Sequence, residues 1–145
     1  MKVAIAVLCL MWMSLCESRT MGRCEVVKIF RAEGLDGFEG FSLGNYVCTA
    51  YWESRFKTQR VRTADVGKDY GIFQINSFKW CDDGTPDGKN LCNLPCSDLL
   101  KDDLKPSVEC AKLIVKTGGL KSWETWDSYC NGRKMKRWTK GCESH

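Results

Sequence analysis

Histidine is almost missing from this chain: of 145 residues, only the last, His145, is one. Zinc needs clustered Cys and His ligands, and Cys92 and Cys96 have ligand-like spacing but no second close pair. A zinc ribbon is therefore not expected. No Asn-x-Ser/Thr triplet occurs, so N-glycosylation is not expected either. Only three prolines are present, and no Pro-rich linker, internal repeat or low-complexity tract divides the chain. Charge of one sign is also scarce. A net charge of +4 favours anionic surfaces but is too small to indicate nucleic acid. No apolar run reaches the roughly twenty residues that a spanning helix needs.

The one apolar run lies at the start. Met1-Lys2 gives a short positive region, Val3 to Leu15 is apolar apart from Ser14, and Cys16-Glu17-Ser18 supplies small residues before a cleavage point. This pattern predicts a secretory signal peptide over 1–18, with Arg19 as the first mature residue and an extracellular product. Removing it takes Cys9 and Cys16 from the ten cysteines, leaving Cys24, Cys48, Cys81, Cys92, Cys96, Cys110, Cys130 and Cys142. An even set in a secreted chain predicts four disulfides, although about a hundred pairings are open to eight cysteines. Residues 19–145 suit one domain with a real core, and 43% hydrophobic residues with six tryptophans argue against disorder.

Within that domain the stretch 42–76 carries the chemistry. Ser42 is placed to cap a helix with Leu43, Tyr46, Val47, Ala50 and Tyr51 on one face, and Glu53 falls near its end beside Trp52. Tyr70 to Ile75 reads as a strand with Asp69 at its mouth, in a small antiparallel hairpin or meander. Two rigid elements thus deliver two carboxylates into unequal surroundings. An apolar surround raises one acid so that it donates a proton, and a polar one keeps the other ionised, which is what glycoside hydrolysis uses. Elsewhere the pattern predicts helices over 24–33 and from Pro106 to Gly118-Gly119, short helical pieces over 123–129, and a cysteine-pinned loop over 81–96. The expected class is α+β: a helical body and a small β lobe with a cleft between them.

The segments C-E-V-V-K, G-L-D-G-F-E-G-F-S-L-G-N-Y-V-C, E-S-R-F, D-Y-G-I-F-Q-I-N-S, N-L-C-N-L-P-C-S-D-L-L and V-E-C-A-K-L-I-V closely resemble the C-type lysozyme and α-lactalbumin family across essentially the whole mature chain. The resemblance implies bridges Cys24–Cys142, Cys48–Cys130, Cys81–Cys96 and Cys92–Cys110. It implies Glu53 as general acid and Asp69 as the carboxylate facing the sugar cation. Gln74, Asn76 and Trp80 then look like cleft residues holding an acetamido sugar, and Trp123 like the aromatic that desolvates the acid. Both carboxylates are present, which the α-lactalbumin branch typically lacks. The implied activity is retaining hydrolysis of β-1,4 links in peptidoglycan, secreted and antibacterial, with peptidoglycan or chitooligosaccharide as substrate, no cofactor, and a monomeric state. The alternatives are a sugar-binding lysozyme-like protein with weak or no lysis, as in some reproductive-tract relatives, a membrane-disrupting cationic protein, and a lactose-synthase-type subunit.

Departures from the family pattern qualify this. Lys79 stands where lytic members commonly carry a stacking aromatic. The loop R-V-R-T-A-D-V-G-K replaces an Asn-rich turn, and Lys68 directly precedes Asp69, either pairing with it or pointing to solvent by strand alternation. The turn Lys116 to Gly119 is short and lacks an acid, so weaker oligosaccharide binding is expected. In the stretch D-L-L-K-D-D-L-K-P-S, Lys101, Pro106 and Ser107 occupy positions where calcium-binding relatives have carboxylates, so no metal is expected. The basic tail 133–140, with Trp138, is either a solvated face or a contact for an anionic bacterial surface.

Overall fold

The computed structural model describes residues 19–143; the expected signal peptide over 1–18 and His145 lie outside the described residues. Helix α1 (Arg23–Ala32) buries Val26, Val27 and Phe30, the spacing of one helical face. It ends where Gly34 turns left-handed at φ 82°, letting Leu35 N–H reach back to the Phe30 carbonyl at 3.0 Å. Helix α2 (Leu43–Ser54) follows. Ser42 occupies its N-cap position, yet its hydroxyl accepts from Asn45 Nδ2 instead of capping. The cap comes from Asp36, whose Oδ1 accepts from the Leu43 N–H at 3.1 Å.

α2 is the centre of the body. It is buried along nearly its whole length and packs against α1, against α4 (Glu124–Tyr129) and against the 3₁₀ turn Met135–Trp138. That closeness depends on Gly44: a Cβ there would lie 2.4 Å from the Met135 carbonyl oxygen. Helix α3 (Lys105–Gly118), opened by Pro106 in its first turn, supplies Val108, Ala111, Ile114 and Val115 to the same core.

The β lobe is smaller than the pattern suggested. Strands β1 (Val61–Thr63), β2 (Lys68–Tyr70) and β3 (Ile75–Asn76) form an antiparallel meander in that order. The expected strand over 70–75 is therefore corrected: β2 ends at Tyr70, and 71–74 are a buried turn. Gly71 (φ 78°) and Gln74 (φ 50°) leave the extended region, and a Cβ on Gly71 would come within 2.1 Å of the Leu99 carbonyl oxygen. An apolar run of this length suits a buried turn as well as a strand.

Four disulfides close the structure among the described residues. Cys48–Cys130 ties α2 to the end of α4, Cys24–Cys142 joins α1 to the tail, and Cys81–Cys96 with Cys92–Cys110 pin the 81–96 loop to itself and to α3. The architecture is a helical body with a three-stranded antiparallel lobe, the α+β arrangement expected.

Candidate active site

An open cleft of about 370 Å³ separates the lobes, lined by Glu53, Arg62, Asp69, Gln74, Asn76, Trp80, Trp123 and Thr125 among others. All six candidate site residues from the sequence meet there. A larger hollow of about 460 Å³ beside Cys24, Lys28, Arg31 and Glu143 has its charged groups exposed or half-exposed, and among the described residues no buried polar group converges on it. Chemistry, not size, singles out the cleft.

Glu53 sits in the last turn of α2, where the aligned carbonyl dipoles disfavour a carboxylate. It is only 7% exposed. Burial pushes its carboxyl above the ordinary range and the nearby Asp69 charge adds to this, while the Thr125 hydroxyl and the Arg62 and Arg60 guanidinium groups work the other way. Thr125, from α4, donates its hydroxyl to Glu53 Oε2. Arg60 clasps the lobes together: its Nη1 donates to the Glu53 carbonyl at 2.9 Å, and its own carbonyl accepts from Gly71 N–H at 2.8 Å and Gln74 Nε2 at 3.0 Å. The Ser54 hydroxyl adds a second tie, donating to the Ile72 carbonyl at 2.7 Å.

Asp69 lies in the middle of the small sheet, paired by register with Arg62 on β1 and Asn76 on β3. Asn76 Nδ2 donates to Asp69 Oδ1 at 3.0 Å and to the Val66 carbonyl at 3.0 Å, and Asn76 Oδ1 accepts from Phe78 N–H at 2.8 Å. One asparagine thus both caps its strand and orients the carboxylate. The ion pair on Asp69 comes from Arg62, whose Nη2 stands 3.5 Å from Asp69 Oδ2 and 4.0 Å from Glu53 Oε1. Lys68 makes no ion pair among the described residues, as strand alternation implies for the neighbour of an inward-facing residue.

The remaining candidates divide by what their polar atoms do. Trp123 is 6% exposed; its indole N–H donates to the Phe73 carbonyl at 2.8 Å and its ring leans on Phe73, fixing an aromatic wall of the cleft. Gln74 spends its amide nitrogen on the Arg60 and Gly71 carbonyls, and its buried Oε1 has no hydrogen-bond partner among the described residues. Trp80 is 8% exposed with the Lys79 ammonium 4.8 Å from its ring centre, so Lys79 covers an aromatic already present. Trp126, by contrast, is a core residue, donating to Asn45 Oδ1 and packing edge-on to Phe41.

Sequence reasoning missed Thr125, Arg60 and Arg62. Only the hairpin register carries a signal for Arg62, since a strand residue opposite Asp69 is forced onto its face.

Comparison with known proteins agrees with this geometry. The profile described as "C-type lysozyme/alpha-lactalbumin family" matches residues 19–142. The chain is also similar to "Lysozyme-like protein 2" of Homo sapiens, at 48% identity over 129 residues, covering 88% of this chain and 87% of that protein. With four disulfides, a helical body, a small β lobe and a cleft between them, the chain belongs to the C-type lysozyme/alpha-lactalbumin family.

Proposed function

We propose that this protein is a secreted, monomeric, retaining glycosidase that cleaves β-1,4 links of peptidoglycan, with residues 1–18 as its signal peptide and 19–145 as its working domain. Family membership supports a carbohydrate as the ligand of the cleft. The observation that carries the reading is the unequal carboxylate pair: Glu53 buried with its pKa raised, Asp69 held by Asn76. Lysozyme is itself the type case of this chemistry, so the reaction scheme is the family's. Protonated Glu53 donates its proton to the glycosidic oxygen as the bond to the anomeric carbon breaks. Asp69 meets the developing positive charge and closes on the anomeric carbon as nucleophile. Water then attacks that carbon, gives its proton to Glu53, and releases Asp69 with the original configuration. Trp123, Trp80, Gln74 and Asn76 form the walls against which the sugar lies.

Clearing of a peptidoglycan cell suspension tests this directly. Wild type clears it and Glu53→Gln does not, while proton NMR of the first product from a chitooligosaccharide shows the retained anomer. Equal clearing by both proteins would instead indicate membrane disruption by the basic surface. A second reading, a sugar-binding protein with little lysis, is favoured by Arg62 standing between the carboxylates and by Lys79 on Trp80. Sugar binding by both proteins without clearing by either selects it.

A further inference from the structure

Among the described residues that line the cleft, Arg62 is the one cation, against the carboxylates of Glu53, Asp69 and Glu124. It stands on β1, directly across from Asp69 on β2. A single nitrogen, Nη2, reaches toward both carboxylates, at 3.5 Å from Asp69 and 4.0 Å from Glu53. Glu53 is buried and Asp69 half-buried, with side chains 8% and 15% exposed, whereas the Arg62 side chain is 52% exposed. The guanidinium is therefore on the solvent side of the acid pair. In any two-carboxylate glycosidase the scissile bond has to lie between the two acids. Guanidinium and glycosidic bond cannot share that space.

We propose that Arg62 is a positioning residue that competes with substrate for the carboxylate pair: it bridges Glu53 and Asp69 in the empty cleft, and a glycan binds by displacing it. This rests on reading the cleft as a glycan site. Displacement is feasible because both contacts are long and the side chain is half in solvent, where such pairs are weak. It leaves Asp69 in place, because the other oxygen, Oδ1, stays bonded to Asn76. Arg60 is not displaced with it, being fixed to the Glu53 carbonyl and to the 71–74 turn. The groups that face Glu53 are then Asp69 from β2, Arg62 from β1, Arg60 ahead of β1 and Thr125 from α4. Occupancy of the cleft removes one of these, Arg62.

That difference between empty and occupied states gives the test. The pH profile of kcat/KM reports the free enzyme, and that of kcat reports the complex. Arg62 favours ionised Glu53, so Arg62→Ala raises the upper limb of the kcat/KM profile. The kcat limb stays where it was, since the guanidinium has already left in the complex. Titration calorimetry with tri-N-acetylchitotriose shows Arg62→Ala binding about two- to five-fold tighter than wild type, the range an exposed ion pair spans. Arg62→Lys, which keeps the charge without the planar fork, falls between them and serves in its place should the alanine variant not fold. Unchanged or weaker binding by the variant overturns the proposal, as does a kcat limb that moves together with kcat/KM. Absence of hydrolysis in both wild type and Arg62→Ala would sink the glycosidase reading alone. The binding comparison needs no turnover and still decides the role of Arg62.

Discussion

Glu53 and Asp69 reach one cleft from opposite kinds of structure. Glu53 comes from the last turn of a helix buried on nearly all sides, and its side-chain partner, Thr125, belongs to another helix of the same body. Asp69 comes from a three-residue strand whose neighbour β1 is wholly exposed, and its partners are the side chains across the sheet. The body encloses its acid and excludes water; the lobe surrounds its own with a hydrogen-bond donor and a cation. One fold thus places two carboxyl groups in unlike surroundings, one in a helical interior and one on an open sheet, and burial raises the pKa of the first.

The largest expected break in that comparison is in catalysis. Glu53→Gln lowers kcat by about 10²–10⁴-fold, the usual worth of a general acid, with chitooligosaccharide affinity kept, as single-turnover kinetics and calorimetry would read. A variant that loses affinity as well as rate would place Glu53 in ground-state binding instead.

The two lobes should also separate in stability. Replacing Cys48 and Cys130 by Ala opens a loop with a sequence separation of 82, and replacing Cys81 and Cys96 opens one of 15. Chain-entropy reasoning gives about 4–5 kcal/mol for the first and about 3 kcal/mol for the second, measurable as displaced urea midpoints. The reverse order would mean that the β lobe is the keystone.

Glu53→Gln also tests the burial argument without any substrate. A carboxyl whose folded pKa is raised contributes stability that is full below its unfolded value and is lost as pH rises through the folded one. The Gln variant has no such loss. Its Tm therefore exceeds that of wild type at neutral pH, and the gap closes in acid. Equal melting temperatures at all pH values would contradict the water-exclusion account of this acid.

Thr125→Val removes a hydrogen bond that favours ionised Glu53 and costs about 1 kcal/mol of stability. The upper limbs of both the kcat/KM and the kcat profiles move to higher pH, because Thr125 belongs to the body and stays beside the acid whether or not the cleft is filled. Smallest of all is Lys68→Ser. Its effect should stay within about 0.5 kcal/mol, with kcat unchanged, since its side chain faces away from Asp69. A clear rise in kcat would put that ammonium on the Asp69 face after all.

Much of this was legible in the sequence where burial follows periodicity. The α2 helix, the position of Glu53 near its end, the Pro106 start of α3 and the α+β division all come from patterns that only one kind of packing satisfies. Motif resemblance supplied the cysteine pairing and the cleft residues, which spacing alone leaves open. Details that depend on the far side of a contact were not legible. Asp36 took over the cap expected of Ser42 because the 3₁₀ turn at 38–40 folds the chain back between them. Residues 71–74 became a turn because Leu99, distant in sequence, leaves no room for anything but a left-handed glycine at 71. Arg62, and not Lys68, meets Asp69 because pairing across strands outranks adjacency along one.

The Cys24–Cys142 bridge has a topological consequence. With the Cα atoms of these residues 5.1 Å apart, and Arg23 donating to the carbonyls of Trp138 and Lys140, start and finish of the domain are stitched together. The backbone between them is a covalent ring. A protease that cuts once, for instance in the exposed stretch 82–84, opens the ring without releasing a piece, because Cys24–Cys142, Cys48–Cys130 and Cys81–Cys96 all still join the two halves. Such a nick would be invisible on a non-reducing gel and would appear as two fragments only after the disulfides are reduced.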